Sequence, residues 1–248
     1  MEIYILSCGR AFRQPTWNSL PEELREHTRL VVPKGEQNQY KKFPLLVEPN
    51  LPHTGHVRQF IMEEAKGNFV MLDDDLTFSV RREDQPDKFR NAMPEEITAA
   101  FKEMFALLKV RAHASIAMRE GANRDTSKYK ENTRQCRVLA YNRKILYRIR
   151  VQFDRAYGMD DFDATLQLLR RGYSNIVLNW IVQNQYGSNA AGGASTWRTL
   201  DIQEKAALRL KELHPDFVTV VRKQTKTAWQ GKERTDVIVQ WKKAYESL

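Results

Sequence analysis

The sequence has little cysteine: Cys8 and Cys136 are the only two in 248 residues. That excludes a disulfide framework and fits a reducing compartment. Long apolar runs are also missing. Stretches such as Ile3 to Leu6 stop after four or five residues, against the ~20 that a membrane-spanning helix takes, so no transmembrane segment or membrane partner is expected. The opening Met1-Glu2-Ile3 lacks the basic region and longer apolar stretch of a secretory signal, and a cytoplasmic protein is expected. There is no internal repeat and no linker. The one small-residue stretch, 187 to 195, is too short to separate domains, and reads either as a mobile loop over a site or as an ordinary surface loop. The chain is therefore read as one domain over residues 1–248.

Negative charge is the other shortage, with 31 Asp and Glu against 40 Lys and Arg, a net +9. Residues 119–150 hold ten basic side chains against three acidic, and residues 222–243 seven against two. Such runs are either solvated faces or the footprint of a polyanionic partner.

What is present alternates between strand and helix patterns. Ile3 to Leu6, Leu30 to Val32, Leu45 to Val47 and Phe69 to Leu72 are short apolar runs ending in polar loops, as buried strands do. Val57, Ile61 and Ala65 mark a helix over 56–66, with Gly67 as its C-cap. Pro94 opens an amphipathic helix carrying Ile97, Phe101, Met104, Phe105 and Leu108. Further strands are read at 115–118, 136–141, 176–182 and 217–221. A helix over 160–171 stops at Gly172, and another runs to about Leu213 behind an Asp201/Glu204 capping pair. The pattern predicts an α/β fold: a mostly parallel central sheet flanked by helices, with ligand loops at the carboxyl ends of the strands.

The most informative feature is Asp73-Asp74-Asp75, directly after the apolar run Phe69 to Leu72. In an extended chain Asp73 and Asp75 share one side and Asp74 takes the other. A same-side carboxylate pair suits a hard divalent ion, which neutralises a diphosphate; the alternative is a solvated Asp-rich turn. Gly158-Met159-Asp160-Asp161-Phe162-Asp163 places a second acidic group at a helix start, either for catalysis or for the helix dipole.

The first strand, its polar loop, two more strands and the stretch His56-Val57-Arg58-Gln59-Phe60-Ile61-Met62-Glu63-Glu64-Ala65-Lys66-Gly67-Asn68-Phe69-Val70-Met71-Leu72-Asp73-Asp74-Asp75 resemble the nucleotide-sugar-binding half of GT-A fold glycosyltransferases. The resemblance implies a single GT-A-like domain, with residues 1–80 as the nucleotide-sugar half and 81–248 as the acceptor half. It implies that Ser7, Arg10, Arg58 and Asp74 are donor contacts, and that Asp73 and Asp75 hold Mn2+ or Mg2+. It implies that Asp161, with Asp160 beside it, is the general base of an inverting transfer; the family usually shows Glu-Asp where this chain has Asp-Asp. A late histidine serves as a metal ligand in many members, and His214 is the only histidine after residue 113.

Within that fold, Ile3-Tyr4-Ile5-Leu6-Ser7-Cys8-Gly9-Arg10-Ala11 and Leu72-Asp73-Asp74-Asp75-Leu76-Thr77-Phe78 most resemble the small phage-encoded TET-associated glycosyltransferases. This implies transfer of a sugar, from a UDP-sugar, to a hydroxymethylated pyrimidine in DNA, in the host cytoplasm. Lys128, Lys130 and Arg134 in the basic stretch are then DNA contacts. Tyr129, Tyr141, Tyr147 and Trp229 stack on bases or serve in packing. The rival readings are a GT-A enzyme with a protein, lipid-headgroup or glycan acceptor, a nucleotidyltransferase, and a non-catalytic nucleic-acid-binding protein whose acids are structural.

Overall fold

The computed structural model describes residues 1–185, 198–225 and 231–247. The small-residue stretch 187–195 and Trp229 lie outside them. One end of the main sheet is parallel, in the order β3 (Leu45–Glu48), β2 (Thr28–Pro33), β1 (Glu2–Leu6), β4 (Phe69–Asp73). The sheet continues through β9 (Val138–Tyr141), β7 (His113–Met118), β10 (Asn175–Gln185), β5 (Leu76–Arg81) and β6 (Phe89–Asn91). In this part only β7 and β10 run parallel, while β9 is antiparallel to both β4 and β7. β8 (Tyr129–Glu131) adds to the first half of β10.

Alternation along the central strands serves both faces. On one, Ile3, Ile5, Val70 and Leu72 pack with Ile97, Phe101 and Met104 of α4 (Pro94–Leu107). On the other, Tyr4, Phe69 and Met71 pack with Ile61 and Met62 of α3 (Thr54–Glu64), Leu146 of α5 (Arg143–Ile149) and Leu168 of α6 (Asp160–Leu169). Each fully buried aliphatic chain contributes about 1.5–3 kcal/mol, so both helix layers are held firmly. α6 is covered twice. Its Leu166 and Leu169 meet Ala207 and Leu210 of α7 (Leu200–Leu213), together with the antiparallel pair β11 (Val218–Gln224) and β12 (Glu233–Val239) and α8 (Trp241–Glu246). The short α1 (Pro15–Ser19) and α2 (Glu22–Arg25) link β1 to β2. Among the described residues, no helix is long and apolar enough to cross a membrane.

Several sequence expectations need correction. α3 ends at Glu64, and Gly67 does not cap it: Ala65 is already extended, and the amides of Lys66 and Gly67 donate to the Glu2 carboxylate instead. The cap of α7 is Thr199, whose hydroxyl accepts from the Ile202 amide, while Asp201 pairs with Lys205 and Glu204 with Arg222. Gly172 does end α6, with φ +78 and its amide on the Leu169 carbonyl. Most consequential, the chain is not extended through the acidic triplet. β4 stops at Asp73, and Asp74 and Asp75 form the turn into β5.

Candidate active site

The site forms where β1 and β4 end side by side, with Leu6 opposite Asp73. The loop after β1 carries Ser7, whose hydroxyl donates to Asp74 Oδ2 at 2.7 Å, and Arg10, whose Nη1 donates to Asp74 Oδ1 at 2.7 Å and to Asp75 Oδ2 at 3.2 Å. Gln14 Nε2 donates to the Ser7 hydroxyl at 2.7 Å, and Thr16 ties down the turn from the other side, accepting from the Leu76 amide and donating to the Asp73 carbonyl. Asp74 is 4% exposed, and burial raises its carboxyl above the usual range against the pull of Arg10 and Ser7. Asp75 Oδ2 also accepts from Gln185 at 3.0 Å, but its Oδ1 is buried with no hydrogen-bond partner.

Asp73 faces a different cation. Its Oδ1 lies 3.5 Å from Nη2 of Arg58, whose Nη1 donates to Asp160 Oδ2 at the start of α6. Arg58 is 6% and Asp160 3% exposed. The contact depends on Gly55, one turn earlier on α3: a Cβ there would stand 2.4 Å from the Phe153 carbonyl oxygen and 3.3 Å from Asp160 Cβ. Burial pushes the Asp73 carboxyl up to about 7, with Arg58 opposing it and the Asp75 and Asp74 charges adding to it. Burial likewise raises the Asp160 carboxyl despite Arg58. Asp161 is less buried, and its Oδ1 accepts from the amide of Phe162 at 3.0 Å.

The structure thus brings Ser7, Arg10, Asp74 and Asp75 into one cluster and Arg58, Asp73 and Asp160 into the next. Arg58 connects the acidic turn to α6. One feature fits a hard dication held by Asp73 and Asp75: the Oδ1 of Asp75 is buried without a hydrogen-bond partner. Among the described residues, no group of three or more His, Cys, Asp or Glu is gathered as a metal cage. A hard ion on two carboxylates takes its remaining oxygens from water or a diphosphate.

His214 does not fit the ligand role read from the sequence. It is 1% exposed; Nδ1 is 3.0 Å from Arg170 Nη1 and Nε2 is 2.7 Å from Asp163 Oδ1. Nδ1 accepts from Arg170 and Nε2–H donates to Asp163, so no ring lone pair is open to a metal. Asp163, fully buried, also binds Arg155 and Gln167, so this acid of the α6 start is structural.

The three basic residues read as DNA contacts do not form one cluster. Lys128 is exposed, with Nζ 5.1 Å above the Tyr129 ring, and Lys130 on β8 lies 3.4 Å from Asp125. Arg134 lies against α6, 4.4 Å over the ring of Phe162 and next in line to Asp161. Of the aromatic residues, Tyr141 is fully buried, the Tyr129 hydroxyl is held by Glu103, and Tyr147 is 42% exposed under Arg143.

Arg137 is a site neighbour that the sequence reading did not single out. It adopts φ +64, and its carbonyl accepts from the Asp73 amide at 3.1 Å. Its Nη1 lies 3.4 Å from Gln183 and 3.6 Å from Glu120, and its charge lowers the Asp73 carboxyl. A positive φ in arginine leaves no mark in a sequence. Gln185, at the end of a strand that extends further than read, was equally hidden.

No curated protein matches the chain in sequence. Among solved structures, it is similar to CMP:2-keto-3-deoxy-manno-octonic acid synthetase complexed with CTP, at 14% identity and a TM-score of 0.41, covering 85% of this chain and 98% of that one. It is also similar to GalNAc-T7 with UDP, GalNAc and Mn2+, at 8% identity and a TM-score of 0.46, covering 85% of this chain and 48% of that one. The model of the family described as TET-Associated Glycosyltransferase matches residues 1–193, a span that holds the loop after β1, the acidic turn, Arg58 and the start of α6. By that match the chain belongs to the TET-associated glycosyltransferases.

Proposed function

We propose that this glycosyltransferase moves a sugar from a UDP-sugar to a hydroxymethylated pyrimidine in DNA, by inversion, with Asp161 as general base. The observation that carries the reading is Arg58, which faces Asp73 on the acidic turn and Asp160 on α6 at once. Residues 1–80 then supply the donor side and residues 81–248 the acceptor side. Ser7, Arg10, Arg58 and Asp74 frame the donor diphosphate, and Asp73 and Asp75 are the metal ligands. When bound, Mn2+ or Mg2+ supplies the positive charge that balances the diphosphate as leaving group.

Because Asp160 is committed to Arg58, Asp161 is the carboxylate left to act on the acceptor. It takes the proton of the hydroxymethyl group as that oxygen bonds to the anomeric carbon. The bond from the anomeric carbon to the diphosphate oxygen breaks, and its electron pair leaves with UDP. Around the acceptor, Arg134, over the ring of Phe162 beside Asp161, is the basic residue at the start of α6, while Lys128 and Lys130 meet phosphates further along the duplex.

Two measurements test this. Asp73→Asn and Asp75→Asn should each remove the Mn2+-dependent part of UDP affinity in calorimetric titration; unchanged affinity in both refutes the metal pair. For the acceptor, hydroxymethylated DNA is incubated with nucleotide sugars and a divalent ion, digested and weighed as nucleosides. A sugar increment on the modified pyrimidine supports DNA as acceptor. Increments found only on protein or glycan substrates, or a transferred nucleotide, refute it.

A further inference from the structure

The loop between β1 and α1 carries a side chain that the chemistry above does not use. Phe12 is 95% exposed, the most open large apolar side chain among the described residues, whereas its neighbour Ala11 is 3% exposed and packs into the core. Residues 10 to 13 form a tight turn closed by the Arg13 amide on the Arg10 carbonyl at 2.9 Å, with Phe12 at its tip.

The turn is fixed from several directions. The Arg10 amide donates to the Tyr40 hydroxyl at 3.0 Å, the Gly9 amide to Glu36 Oε2 at 2.8 Å, and Gln14 Nε2 to the Arg10 carbonyl at 3.0 Å. Gly9 supplies the positive φ, +65, that starts it. Through Arg10 Nη1 the same turn is tied to Asp74 and Asp75. An aromatic ring in water on so constrained a backbone is held out in advance, at no further ordering cost to the main chain.

We propose that Phe12 is a wedge: it inserts into the base stack of the acceptor duplex and occupies the space opened when the target pyrimidine leaves the helix. This rests on the reading that the acceptor is DNA. A ring with one open side lines a pocket, but a tip with both faces open suits insertion between two bases, where both faces become covered. That geometry favours a base of the duplex over the base of the donor nucleotide. The surroundings match a polyanion: Arg13 is exposed, and Tyr40, which braces the turn, is followed by exposed Lys41 and Lys42. A base that reacts on an exocyclic group and is turned out of the stack leaves a gap whose closure competes with turnover, and a rigid apolar plug keeps it open.

The test uses a duplex with one hydroxymethylated pyrimidine next to 2-aminopurine, whose fluorescence rises when its neighbour unstacks. With the full chain the signal should rise on binding. Phe12→Ala should lose most of that rise and raise the KM for duplex about tenfold or more, with a smaller effect on single-stranded DNA, which needs no wedge. Phe12→Trp should restore the signal, and UDP affinity by calorimetry should be the same in all three proteins. Equal fluorescence and equal duplex KM in Phe12→Ala overturn the wedge and leave the DNA reading standing. A parallel loss of UDP affinity overturns it in favour of stacking on the donor base. A wild-type chain that neither raises the fluorescence nor puts sugar on DNA overturns both proposals together.

Discussion

Arg58 and Asp160 lie 102 residues apart in the chain and form a buried ion pair, Nη1 donating to Oδ2, while the other terminal nitrogen of Arg58 faces Asp73. Removing the cation would leave Asp160 buried and Asp73 without its main counter-charge. Arg58→Ala should therefore destabilise the fold by about 3–5 kcal/mol, the range for breaking a buried pair from one side. Arg58→Lys keeps one charge but not the forked geometry, and should retain part of the stability while losing transfer activity. Urea denaturation of both variants checks this; two near-neutral results would mean that the pair is not what joins the halves.

Gly55 sets how closely α3 approaches the segment before α6. Adding one methyl places it 2.4 Å from a backbone oxygen, which no side-chain rotation can relieve. Gly55→Ala should cost about 1–3 kcal/mol and lower transfer activity by moving Arg58 off Asp160. Gly67→Ala is the control: its nearest contact would be Glu2 Oε1 at 3.5 Å, and thermal melts should find it within about 0.5 kcal/mol of wild type.

His113 sits fully buried at the start of β7 between the Gln135 side chain, 2.9 Å away, and the Tyr173 carbonyl, at 3.0 Å. Burial pushes its pKa down to about 4 from the ordinary 6.5. Between these values the unfolded chain binds a proton that the folded one refuses. The stability that neutral His113 provides is present above pH 6.5 and is lost as pH falls toward 4, by up to about 1.4 kcal/mol per pH unit. His53, also pushed down to about 4, adds a slope of the same sign. His113→Gln should flatten the decline in urea midpoint between pH 7 and pH 4.5, where wild type retains it; parallel profiles would show that His113 does not titrate this way.

The elements visible in the sequence are those whose own periodicity decides them. β1, β4, α4 and α6 carry alternating or helical apolar patterns that match the two faces they bury. β5, Leu76–Arg81, is hidden because it follows three aspartates in a tight turn and its pairing with β10 joins segments about a hundred residues apart, while its other partner, β6, is only three residues long. β8 has three residues and owes its existence to pairing with β10. In the site, the acidic triplet and the acids of α6 stood out as local charge clusters. Their division of labour did not, since the turn at Asp74, the sharing of Arg10, the link through Arg58 and the locking of His214 by Asp163 and Arg170 are contacts between distant segments. Alternation was the wrong rule for Asp73 and Asp75 because the chain turns where the rule assumed an extended strand.

In the proposed transfer the start of α6 and the acidic turn work as one centre, with Asp161 as the proton acceptor. The most direct measurement is the rate of sugar transfer to hydroxymethylated DNA by Asp161→Asn, taken alongside its UDP affinity in the presence of Mn2+. A general base contributes on the order of 10² to 10⁴ in rate and little to ground-state binding. The predicted result is turnover reduced by that factor with UDP affinity unchanged. Near-normal turnover in Asp161→Asn, with Asp160→Asn inactive yet still folded and binding UDP, would contradict it.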